Sequence, residues 1–145
     1  MKKFMLILAV LFGVMTASAR DNYSHDVEIL PAAAKIMLKE NFKSDVSHIK
    51  IGKEFGQIRK YEVILTDGTE VSFDKHGNWK DVEVGRNSSV PAAFMLSPIA
   101  TFIKENQGKA KVTGIEKKSY GYEVELSNGV DVRFSEKGKF LRYDN

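Results

Sequence analysis

Three histidines, His25, His48 and His76, are the side chains of this 145-residue chain whose ordinary pKa suits acid–base work near neutral pH. A general base needs a group that orients it, and no carboxylate stands at an obvious spacing from His48. His25 belongs to a segment expected to be flexible, His48 to a strand-like stretch, and His76 to the turn Lys75-His76-Gly77. The chain has no cysteine, so it lacks a thiol nucleophile and a disulfide framework. Gly-x-Ser-x-Gly, His-Glu-x-x-His and phosphate-cradling glycine loops are absent. Asp67 and Asp74 flank one strand, but a calcium loop needs more oxygen ligands at closer spacing. No catalytic residue, cofactor or metal site is expected.

An internal repeat carries the same message. Tyr61-Glu62-Val63-Ile64-Leu65-Thr66-Asp67-Gly68 returns as Tyr122-Glu123-Val124-Glu125-Leu126-Ser127-Asn128-Gly129, at a constant offset of 61 residues. The match extends through Val71, Phe73 and Gly77 to Val132, Phe134 and Gly138, and Trp79 corresponds to Phe140. Such self-similarity marks a duplicated supersecondary unit. Lys137 stands where His76 does, Asn128 where Asp67 does and Ser135 where Asp74 does. The second copy thus makes the same turns without the first copy's titratable groups.

The N-terminus reads as an export signal. Lys2 and Lys3 precede the apolar run Phe4 to Val14, and Ala17-Ser18-Ala19 offers small residues for cleavage before Arg20. The run is shorter than the roughly 20 residues a spanning helix needs. Residues 1–19 are therefore expected to be a signal peptide, and 20–145 a single domain of two repeats, about 28–85 and 89–145. The precursor's charge of +3 falls to +1 when Lys2 and Lys3 leave. Nearly neutral and with its charges interspersed, the exported chain has no footprint for nucleic acid. Neither does it carry a second apolar span for a membrane. A periplasmic or secreted location is expected.

In the first repeat, Pro31 opens a helix whose apolar face is expected to hold Ala33, Ile36, Met37 and Phe42. From Val46 to Lys53 the residues alternate imperfectly, with Val46, His48 and Lys50 on one side and Ile49 and Ile51 on the other. Tyr61, Val63, Leu65, Val71 and Phe73 point inward. Asp67-Gly68 predicts a two-residue type I′ turn, and Lys75-His76-Gly77 a three-residue loop with glycine in the left-handed region. In the second repeat, Pro98 fits the first helical position with Ser97 as N-cap, which places Ile99, Phe102 and Ile103 on one face. Asn87-Ser88-Ser89 lies in the polar linker between the copies. The fold class is α+β: two helix-plus-four-strand-meander repeats forming one antiparallel sheet of about eight strands, with helices on one face.

Leu30-Pro31-Ala32-Ala33, Tyr61 to Gly68, Phe73 to Trp79, Tyr122 to Gly129 and Phe134 to Phe140, twice over behind a leader, resemble the PepSY-like family, itself described as beta-lactamase-inhibitor-like. Phe42-Lys43-Ser44 and Gln107-Gly108-Lys109 depart from it where a Pro-Gly is common. The resemblance implies an antiparallel sheet with helices on one face, secretion by Gram-negative bacteria and no established biochemical activity. By analogy alone it also implies binding or inhibition of an enzyme.

The residues point independently toward binding. The face left open by the helices is expected to carry Glu62, Ile64, Glu70, Ser72, Glu123, Glu125, Asp131 and Arg133, with an acidic bias. The hairpin Lys53-Glu54-Phe55-Gly56-Gln57-Ile58 is longer than its counterpart and places Phe55 and Ile58 where a loop needs no apolar group; Tyr120 lies at the matching tip. The candidate partner-binding residues are Phe55, Ile58, Tyr120, Glu62, Glu123 and Arg133. The expected function is a secreted non-catalytic binding module that inhibits or regulates a secreted or periplasmic enzyme, with an unknown protein partner. The alternative is a small-ligand carrier or structural envelope protein. The last strand offers a sheet edge to another copy, so the chain is expected to be a monomer or weak homodimer.

Overall fold

Each strand pairs with the one before it in the chain. The computed structural model describes residues 22–144, and among these a single antiparallel sheet runs in the order β1 to β9. The strands are β1 (Tyr23–Ser24), β2 (Val46–Glu54), β3 (Gln57–Leu65), β4 (Glu70–Asp74), β5 (Trp79–Glu83), β6 (Val112–Lys118), β7 (Gly121–Leu126), β8 (Asp131–Ser135) and β9 (Phe140–Asp144). Helix α1 (Ala32–Asn41) precedes β2, and helix α2 (Ser97–Gln107) lies between β5 and β6. The leader expected at residues 1–19 lies outside the described residues.

Nine strands form where about eight were expected. The addition is β1, which pairs Tyr23 with Lys50 and Ser24 with Ile49. It supplies partners to the outer edge of β2, whose backbone groups would otherwise rely on water. The same contact ties down His25, expected to be flexible: its Nδ1 lies 2.9 Å from the Ser47 carbonyl oxygen.

The turns also differ from expectation. After β3 the chain makes a three-residue loop, Thr66-Asp67-Gly68, closed by the Leu65 N–H donating to the Thr69 carbonyl at 2.8 Å. Only Gly68 takes positive φ there, at 88°, so the turn is not type I′, which requires it at both centres. Asp67 instead accepts the Thr69 N–H at 2.9 Å. The positive-φ pair falls at Phe55 (51°) and Gly56 (76°), the two residues between β2 and β3. Lys75-His76-Gly77 forms the expected loop, with Asp74 Oδ1 accepting the N–H groups of His76 and Asn78.

A bulge between Val46 and His48 turns Val46 onto the side of Ile49 and Ile51, correcting the simple alternation. Helix α1 buries Ala34 and Leu38, with Met37 alongside, whereas Ile36 is 56% exposed. The expected face with Ala33 and Ile36 is thus replaced by one with Ala34 and Leu38, Ala33 being exposed, and a steric fit fixes this phase. A Cβ on Gly77 would lie 2.9 Å from the Pro31 Cβ and 3.0 Å from the Ala34 nitrogen, so the helix start rests directly on the β4–β5 loop. Phe42 caps the C-terminus of α1 and packs on the core. In α2, Leu96 rather than Ser97 is the N-cap, with no side-chain cap bond, and Ile99, Ile103 and Phe102 face the core as expected.

Both helices and the strands share one buried cluster that includes Ile49, Phe73, Ile99, Ile115 and Phe134. Each such side chain contributes about 1.5–3 kcal/mol when fully removed from water. Aromatic rings extend it: Phe102 stacks on Phe140 at 4.5 Å and meets Phe134 edge-on at 5.5 Å. Tyr61 faces Phe73 across β3–β4 as Tyr122 faces Phe134 across β7–β8.

Candidate functional site

Strand alternation sends the core residues to one face and leaves on the other two rows of side chains that cross the sheet. In the first row, neighbours in register are Lys50, Glu62, Ser72, Asp81, Glu116, Glu123, Arg133 and Arg142, one from each strand from β2 to β9. The middle of this row is acidic and its ends are basic. The second row continues from Glu70 to Glu83, Gly114, Glu125 and Asp131. Like charges directly opposite each other on a sheet are destabilising, yet this face sets Asp81 against Glu116 and Glu70 against Glu83.

Partial neutralisation comes from within the face. Lys60 Nζ lies 3.0 Å from Glu62 Oε1, and Lys118 Nζ bridges Glu116 Oε1 at 3.1 Å and Glu123 Oε2 at 3.9 Å. Arg133 donates to Asp144 Oδ2 from Nε at 3.0 Å and from Nη2 at 2.6 Å. What remains appears in the titration of the carboxyls. Burial, reinforced by the charges of Glu116 and Glu62 and opposed by a Ser72 hydrogen bond, pushes Asp81 up to about 6. Burial raises Glu70, with Glu83 adding repulsion, and burial alone raises Glu83. Glu125 is raised by burial and then by Asp131. Chemically, such a face favours cationic groups placed against it.

The expected residues Glu62, Glu123 and Arg133 all lie in the first row. Asp81, Glu83 and Glu116 were missed, because their place depends on β5 pairing with β6, and nothing in the sequence sets those two strands side by side. Their alternation with Val82 and Ile115 was the available signal.

Phe55 and Ile58 sit at the far end of the β2–β3 hairpin. Phe55 is 94% exposed, and Ile58 is also exposed. With φ at 51°, Phe55 occupies a backbone region that bulky side chains avoid. Tyr120 does not project in this way: it is half-buried on the open face, with the Arg133 guanidinium 5.2 Å from its ring centre. Phe55→Asn is expected to stabilise the fold by about 1 kcal/mol, because asparagine tolerates the left-handed region and no buried area is lost. A higher urea midpoint at unchanged slope would show this, whereas a lower midpoint would mean that Phe55 has packing of its own.

The histidines do not assemble a catalytic set. His25 and His48 both lie beside Ser47, and His76 is exposed in its turn. Among the described residues, no three His, Asp or Glu side chains are arranged to hold a metal ion, and no helix is long and apolar enough to cross a membrane.

Three solved structures resemble the whole of this arrangement. A periplasmic protein of unknown function from Bacteroides vulgatus is 36% identical at a TM-score of 0.79, covering 85% of this chain and 98% of its own. A Bacteroides thetaiotaomicron protein, described as a "putative calcium-regulated periplasmic protein", is 36% identical at 0.79, covering 88% and 99%. A second Bacteroides vulgatus periplasmic protein is 31% identical at 0.76, covering 86% and 98%. These descriptions agree with the periplasmic location expected from the sequence. No curated protein matches the chain. The model of the family described as "Putative beta-lactamase-inhibitor-like, PepSY-like" matches residues 59–142, more than half of the sequence. The chain belongs to the PepSY-like family.

Proposed function

We propose that the protein is a non-catalytic binding module, a tandem duplication of a helix-plus-four-strand unit, that engages a protein partner through the tip of the β2–β3 hairpin. The observation that carries this reading is Phe55, a large apolar ring almost wholly in water on a backbone that disfavours it. Strain of this kind costs about 1–3 kcal/mol and persists where function retains it. A two-residue turn closes more readily on Asn-Gly than on Phe-Gly, so the ring serves something other than the fold. Aromatic side chains on rigid supports are frequent anchors of protein interfaces. The acidic rows lie away from the hairpin tip, on β3 to β8, and favour a partner that also presents basic groups to the sheet face. Inhibition or regulation of a periplasmic enzyme is the form of binding that fits the family. The carrier alternative is less well supported, because side chains such as Phe73, Phe134 and Ile99 fill the region between helices and sheet.

Tagged protein incubated with periplasmic extract tests this reading. Phe55→Ala is expected to lose its specific partner, a drop of about 2 kcal/mol or more in binding free energy at a hot spot, while its melting temperature stays level or rises. If the variant retains every partner, the hairpin reading is wrong.

A further inference from the structure

We infer that the outer edge of β9 pairs with the same edge of a second copy, in a two-fold register centred on Tyr143. The two edges of the sheet are not alike. On one side β1 covers β2, and on the other β9 is the last strand, with no described strand beyond it. Such an edge presents backbone donors and acceptors ready to template another strand. Its side chains are apolar where solvent is expected: Leu141 is 48% and Tyr143 40% exposed.

The residues of β9 select one partner and one register. Antiparallel pairing of two identical strands places residues symmetrically about the central one. Centring on Tyr143 sets Tyr143 against Tyr143 of the second copy, and Arg142 against that copy's Asp144, twice by symmetry. Arg142 has a 61% exposed side chain whose Nη2 lies 3.7 Å from Asp144 Oδ1 of its own strand, while Arg133 holds Oδ2 of the same carboxylate, so Arg142 can turn to the second copy without stripping that carboxylate of its partner. Centring on Arg142 would instead oppose two guanidinium groups and, since Arg133 already stands opposite Arg142 within the sheet, line up four arginines in one row, which is destabilising. Centring on Leu141 would place Phe140 against Arg142, and these lie on opposite faces because of the bulge between Arg133 and Phe134. Only the Tyr143 register satisfies both face and charge.

A pairing of the same length already joins two strands within the chain. The β5–β6 junction is in register at three positions only, Asp81 to Glu116, Val82 to Ile115 and Glu83 to Gly114. Arg142, Tyr143 and Asp144 stand at the 61-residue offset from Asp81, Val82 and Glu83. Pairing would also cover the open side of the Phe102, Phe140 and Tyr143 rings, whose centres are 4.5 to 6.3 Å apart.

The absence of cysteine makes the register directly readable. In the Tyr143 register, Tyr143→Cys places two thiols directly opposite, within the Cα separation of about 4.4–6.8 Å that a disulfide accepts. Arg142→Cys places them two positions out of line, beyond that reach. The purified exported chain, oxidised mildly at about 100 μM, is expected to give several-fold more covalent dimer for Tyr143→Cys than for Lys39→Cys on α1 or for Arg142→Cys. In parallel, sedimentation of the unsubstituted protein is expected to show a mass that rises with concentration, and Arg142→Glu is expected to remove the rise. Tyr143→Cys yielding no more dimer than Lys39→Cys, or Arg142→Cys giving the greater yield, would overturn the proposal. So would a mass that stays monomeric up to the concentration used for oxidation.

Discussion

Gly121→Ala is expected to destabilise the protein by about 3 kcal/mol or more, with a fall in melting temperature of about 10 °C or more. Gly121 begins β7 at a φ of 145°, where any side chain is strained. The surroundings aggravate the strain, because a Cβ there would run into the backbone of β8: the Phe134 carbonyl oxygen, the Ser135 carbonyl carbon and the Glu136 nitrogen. Backbone atoms held in a ladder cannot step aside as a flexible side chain can. Gly56→Ala provides the comparison. Its φ is also positive, at 76°, but nothing lies within 4 Å of the added Cβ, so it should cost only about 1 kcal/mol. Chemical denaturation of the two variants separates strain from collision. Equal losses would mean that β7 and β8 move apart easily, and the account of Gly121 would fail.

The second large effect has the opposite sign. Asp81 titrates at about 6 in the fold against 3.8 for the ordinary carboxyl. A folded pKa above the unfolded one means that the folded protein holds the proton more tightly. The stabilising contribution is therefore full below about pH 4 and is lost as pH rises through 6. At pH 8 the ionised carboxyl costs on the order of 1–3 kcal/mol. Asp81→Asn removes the charge and keeps an oxygen for Ser72. It should raise stability by about that amount at pH 8 and change it little at pH 4. Urea midpoints at the two pH values measure the difference, and an equal gain at both would refute the assignment. Glu70, Glu83 and Glu125 are raised in the same direction, so a shallower slope with pH should remain in the variant.

The sequence made local structure legible wherever one residue decided it. Gly77 fixed its loop, Pro31 and Pro98 marked the helix starts, and the Tyr-x-Val-x-Leu alternation gave both hairpins their inward face. It was silent where two distant segments decide together. Asp67-Gly68 carries the strongest signal for a type I′ turn, but the register of Leu65 with Thr69 enlarges the loop by one residue and relaxes Asp67. Phe55-Gly56, which carries no such signal, takes the type I′ conformation because β2 and β3 meet there. Ile36 looked like core by spacing, yet the approach of α1 to the β4–β5 loop turns Leu38 inward in its place. The acidic rows were half legible for the same reason: Glu62 and Glu123 follow from alternation, while Asp81 joining Glu116 depends on a pairing across α2.

That pairing also governs the order in which the chain assembles. Six of the eight strand contacts are closed by loops of two to four residues, whereas β5 and β6 are separated by residues 84–111. The entropy lost in closing a loop grows with its length, here by roughly 2 kcal/mol over the short turns. The meanders β2–β5 and β6–β9 are therefore expected to close early, and the three-position seam between them to form last. At that seam the two halves of the sheet become one body around a shared core.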